Sequence, residues 1–89
     1  AQDYIGERYA YLGLCLARSA ARCGIASGYR RLVDYVGEMR LYLARSARSE
    51  LSEILRVDYG FNRDKWMAEI QGRIGERTLP AIPYRHAHL

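Results

Sequence analysis

Arg8, Arg18 and Arg22 fall at helical spacing on the same stripe as Tyr4, Tyr11 and Cys15, so guanidinium forks and phenol rings share one face. Guanidinium groups grip carboxylates or phosphates through paired hydrogen bonds, and tyrosine rings stack on bases. The stripe is therefore a candidate interface for a protein partner or for RNA, with Arg8, Arg18 and Arg22 as its contact residues. A solvated face of snorkelling arginines gives the same pattern. The bias runs through the whole chain: of fourteen Lys and Arg residues, all but Lys65 are arginine, and the formal net charge is +4. That charge is compatible with nucleic acid, anionic lipid or an acidic protein and does not choose among them.

Other reactive side chains do not assemble into a known chemistry. His86 and His88 form a His-x-His pair with no Cys-x-x-Cys or carboxylate cluster nearby in sequence, so no metal site is expected. Cys15 and Cys23 lie eight positions apart on one helix, about 12 Å along its axis, which is beyond disulfide reach. Neighbouring arginines favour a thiolate, but both cysteines fall on or beside the expected packing face, and no histidine is placed in sequence to activate them. Glu50 and Glu53 are one turn apart without the Glu-x-x-His ligands of a di-iron bundle. No glycine-rich phosphate loop follows a strand. The expectation is a non-enzymatic protein with no catalytic residue, no metal and no cofactor.

The elements that must position these residues are helical throughout. Eighty-nine residues make one domain, burying only about 60–65% of the surface of its unfolded chain. A core so small is commonly supported by association with copies of itself or with other protein subunits. Asp3 is placed to cap a first helix, about 3–23, with an apolar row at Ile5, Tyr9, Leu12, Leu16, Ala20 and Cys23. Gly24 ends it, and Ser27 is placed to cap a second helix over about 28–57. That helix should bury Leu32, Val36, Met39, Leu43, Ala47, Leu51 and Ile54, with Arg30 and Arg31 paired to Asp34 and Glu53 to Arg56; Gly37 is its weak point. Asn62 caps a third helix, about 63–77, with Phe61 and Trp66 spaced as a hydrophobic staple and Glu69 set to pair with Arg73.

Pro80 and Pro83 forbid helix beyond Thr78, so residues 79–89 form an extended arm following a helical domain of 1–78. The fold expected is all-α, a three-helix bundle with a long central helix and an extended C-terminal arm. Leu79, Ile82, Tyr84 and Leu89 make the arm too apolar for a free tail. It threads into another subunit, with Ile82, Tyr84 and Arg85 as contacts, or folds back over its own helices. Beside the apolar row of the first helix, Gly6, Ala10, Gly13, Ala17, Ala20 or Ala21 and Gly24 form a ridge of small residues, suited to close packing on the second helix or on a partner.

The longest uncharged run, Tyr9 to Ala17, is far short of the ~20 residues a bilayer requires, so no membrane span is expected. Free cysteines fit a reducing compartment. With Ala1-Gln2-Asp3 at the start, as a removed leader would leave, the mitochondrial matrix is favoured over the cytoplasm. Local echoes, Tyr4-Ile5-Gly6-Glu7 in Tyr35-Val36-Gly37-Glu38 and Ala17-Arg18-Ser19-Ala20 in Ala44-Arg45-Ser46-Ala47, come at unequal offsets and do not make a repeat. Ile25-Ala26-Ser27-Gly28, Leu41-Tyr42-Leu43-Ala44-Arg45 and Glu50-Leu51 faintly resemble the signature of four-helix-bundle proteins encoded in ribosomal RNA intervening sequences. The likeness covers about a third of the chain, departs at Ser46-Ala47, where that family favours Gly-Ser, and implies a basic helical oligomer. Together these features point to a structural subunit of a larger multiprotein assembly, with an organellar one favoured and a basic helical RNA-binding module as the alternative.

Overall fold

The computed structural model describes the backbone of residues 2–82 and the side chains of residues 8–82. Tyr84 and Arg85 lie outside the described residues, as do His86 and His88. The architecture is all-α, with four helices in place of three: α1 Gln2–Arg22, α2 Ala26–Val36, α3 Leu41–Leu55 and α4 Arg63–Glu76. The long central helix is divided at Gly37, whose N–H donates to the Asp34 carbonyl while the Glu38 N–H donates to that of Tyr35.

The break has a physical cause on each side. Gly37 is the weakest helix former in the segment, and a Cβ there would lie 2.7 Å from Cδ of Arg63. Met39, expected in the core, is 97% exposed, so nothing apolar holds the next turn in line. An unbroken helix over 28–57 would run about 45 Å, too long for either half to share a core with the other. Folding back lets Leu32 and Val36 of α2 meet Leu43, Ala47, Leu51 and Ile54 of α3 in one cluster. The expected ion pairs change with it. Asp34 pairs with Arg63 of α4 at 2.6 Å, not with Arg30 or Arg31, and Glu53 pairs with Arg22 of α1, not with Arg56.

The turn from α1 into α2 is fixed by backbone alone. Gly24 has φ +82°, its N–H donates to the Ala21 carbonyl, and the Ile25 N–H donates to that of Ala20. These two bonds make a Schellman C-cap, for which a left-handed residue is needed. The cap brings Ile25 to the start of α2 without a side-chain cap, so Ser27 and Gly28 lie inside the helix instead of before it. Gly28 then sits directly on α1, where a Cβ would fall 2.5 Å from the Ala21 nitrogen and 2.6 Å from Cβ of Ala20. The small-residue ridge of α1 is thus the surface on which α2 packs.

The core face of α1 differs from the expected row. Leu14, Ala17 and Ala21 are buried with Ala10 packed beside them, whereas Tyr9, Leu12 and Leu16 are 71%, 53% and 64% exposed. Small side chains allow α2 to approach closely, and that approach turns the larger residues outward. Tyr35 of α2 fixes the crossing by donating its hydroxyl to the Ala10 carbonyl at 3.1 Å. α2, the shortest helix, contacts all three others and buries Tyr29, Leu32, Val33 and Val36.

Asn62 caps α4, its Oδ1 accepting from the Lys65 N–H at 3.1 Å. Trp66 is fully buried; its indole N–H donates to the Gly60 carbonyl at 2.8 Å, and Tyr59 meets its ring edge-on at 5.1 Å. Phe61, expected as the staple, is nearly half exposed beneath the Arg48 guanidinium. Glu69 and Arg73 form their i,i+4 pair at 2.5 Å, and Arg73 also donates to the Leu55 carbonyl at the end of α3. Past Arg77, residues 79–82 return across the α1–α2 turn. Leu79 packs on the core, Tyr29 donates its hydroxyl to the Pro80 carbonyl at 2.7 Å, and the Ile82 N–H donates to that of Arg22 at 2.6 Å. Burial raises the Tyr29 hydroxyl to about 12, against the lowering influence of Arg73 and Arg22.

Candidate interaction surfaces

α1 divides its polar and apolar side chains between two directions. Towards α3 lie Arg18 and Arg22, and both turn to Glu50, which is only 4% exposed. The Arg18 Nε donates to Oε1 of Glu50 at 3.1 Å, the Arg22 Nε donates to Oε2, and an Arg22 Nη2 donates to Oε1 of Glu53 at 3.0 Å. Each oxygen of a carboxylate removed from water thus has a guanidinium donor, the condition under which a buried charge is tolerated. These residues line an open cleft of about 470 Å³ together with Arg45, Ser46 and Ser49.

The structure therefore brings Arg18 and Arg22 together, around a partner that their own stripe does not contain. Arg8 lies exposed nearer the start of α1. Ile82, 43% exposed, is tied to the end of α1 through its backbone. Glu50 is the residue that sequence reasoning missed as a site member. It falls one turn past Ala47 and next to Leu51, on the apolar side of α3, and a carboxylate so placed needs a cation opposite it.

Away from α3, α1 presents Tyr9, Leu12 and Leu16 to solvent, and beside them a groove of about 290 Å³ runs between α1 and α2. Leu16, Gly13, Ala17 and Ala20 line it from α1, and Ser27, Gly28 and Arg31 from α2. Further exposed apolar side chains, Met39 and Leu41, project at the α2–α3 turn. Cys15 is half-buried and Cys23 exposed, both as free thiols.

Glu69 and Asp58, at the α3–α4 end, are held by local partners. Hydrogen bonds from Tyr59 and Arg73 hold Glu69 below the usual carboxylate range, and Arg48 does the same for Asp58 with help from the Gly60 N–H. Among the described residues no three of His, Cys, Asp and Glu converge as metal ligands, and no helix is long and apolar enough to cross a membrane. No protein-family model, curated protein or solved structure matches the chain, so the likeness to the proteins of ribosomal RNA intervening sequences remains confined to the residues that carry it.

Proposed function

We propose that the chain is a small, non-enzymatic helical subunit that takes its place in a larger protein assembly. The observation that carries this is the outer face of α1, where Tyr9, Leu12 and Leu16 stand 71%, 53% and 64% exposed on a helix whose opposite face is already buried. A helix apolar on both sides is characteristic of an interior position, and covering these three residues would contribute about 1–2 kcal/mol each. Met39 and Leu41 extend the same tendency to the α2–α3 turn. An organellar, reducing setting remains the compartment that suits the free cysteines.

The alternative, a basic RNA-binding module, draws less support from the arrangement of the arginines. Arg18 and Arg22, two of the three in the stripe, are engaged by Glu50, and a phosphate would have to compete with a buried carboxylate for them. The two functions separate on a size-exclusion column with light scattering, with absorbance recorded at the protein and nucleic-acid maxima, on protein released gently from its native source. A large particle with protein-like absorbance that persists in high salt is the expected result. A free chain of 10.2 kDa contradicts the assembly, and nucleic-acid absorbance lost in high salt supports the RNA-binding module instead.

A further inference from the structure

The stretch of α1 and α2 from Arg8 to Val33 carries positive charge and contributes no acid of its own. From Arg8 to Val33 the sequence contains five arginines and neither Asp nor Glu. Two of the five, Arg18 and Arg22, face α3 and are paired there. Arg31 faces the other way, at the edge of the groove between α1 and α2. The one acid on its own helix, Asp34, is held by Arg63, and among the described residues Arg31 makes no ion pair. Leu16 forms a wall of this groove, Gly13, Ala20 and Gly28 its floor, and Tyr9 and Leu12 continue the apolar surface along α1.

We propose that this groove seats an amphipathic helix from a different protein chain, its apolar ridge against Leu16 and Leu12 and a flanking carboxylate on Arg31. The assembly subunit proposed above is presupposed, and the partner's chemistry is what is added. Charge complementarity selects this occupant. A second copy offering the same face would set one acid-free segment, Arg8 to Val33, against another, with Arg31 meeting only cations. A nucleic acid would answer the charge but leave Leu12 and Leu16 without apolar cover. An acidic amphipathic helix supplies both, in the groove-docking geometry common to such segments.

The test is fluorescence anisotropy with the full chain and three probes: a helical peptide of about five turns with a Leu/Ala ridge flanked by Glu, the same peptide with Lys for every Glu, and a single-stranded RNA oligonucleotide. The Glu peptide is expected to bind, with Leu16→Ser weakening it several-fold. Arg31→Glu should weaken it about tenfold or more and improve binding of the Lys peptide. Both positions are exposed, so circular dichroism melts of the two variants should match the parent. Equal binding of the Glu and Lys peptides, an Arg31→Glu variant without effect, or preference for the RNA would overturn the inference. If the Glu peptide fails to bind while the native protein still migrates in a large protein particle, the groove assignment is wrong and the subunit function stands. Migration of the native protein as a free chain would remove both.

Discussion

Glu50 decides what the arginines of α1 do. Its carboxylate is almost fully removed from water and has a guanidinium on each oxygen, so removing its charge takes away the buried counter-ion that Arg18 and Arg22 share and leaves Arg22 its pair with the exposed Glu53. Glu50→Gln is expected to cost about 2–3 kcal/mol in urea unfolding at neutral pH. Glu53→Gln, at a position 65% exposed, should cost no more than about 0.5 kcal/mol. Equal costs would mean that the pair at Glu50 is as solvated as the one at Glu53. The arginine stripe was legible from spacing alone, but its partner was not, because Glu50 is 28 and 32 positions away from Arg22 and Arg18. The two meet only because the chain reverses between α2 and α3. What the sequence did contain was the anomaly of a carboxylate beside Leu51 on an apolar helix face.

Among the elements, the interiors of the helices were readable and their junctions less so. Leu32, Val36, Leu43, Ala47, Leu51 and Ile54 are buried as their periodicity predicts, since the 3.6-residue period survives on each side of the break. Met39 was misread because a period extrapolated across Gly37 assumes a helix that does not continue there. On α1 two apolar rows competed, and the rule of burying the largest side chains selected the outer one. Close approach to Gly28 settled it in favour of Ala17, Ala21 and Leu14. The same contact makes two glycines respond in opposite directions. Gly28→Ala should lose about 1–2 kcal/mol, because its Cβ would meet α1 backbone at 2.5 Å and overpacking outweighs the gain in helix propensity. Gly72→Ala, with nothing within 4 Å on the open face of α4, should gain close to 1 kcal/mol. Thermal melts of the two variants moving in the same direction would contradict this packing of α1 on α2.

At the scale of the whole molecule the principal extents are 45 × 38 × 18 Å. The thinnest dimension is under two helix diameters, so every helix has a side with nothing behind it. On α1 that side carries Tyr9, Leu12 and Leu16. The small core, the apolar outer face and the acid-free run from Arg8 to Val33 are what the proposed partner over α1 would account for. The most direct measurement is hydroxyl-radical footprinting of the native particle beside the isolated chain, read out by mass spectrometry at single residues. Strong labelling of Tyr9, Leu12 and Leu16 in the isolated chain and clear protection of all three in the particle is the predicted result. Equal labelling of these residues in both forms would contradict the account, since α1 would then meet no partner.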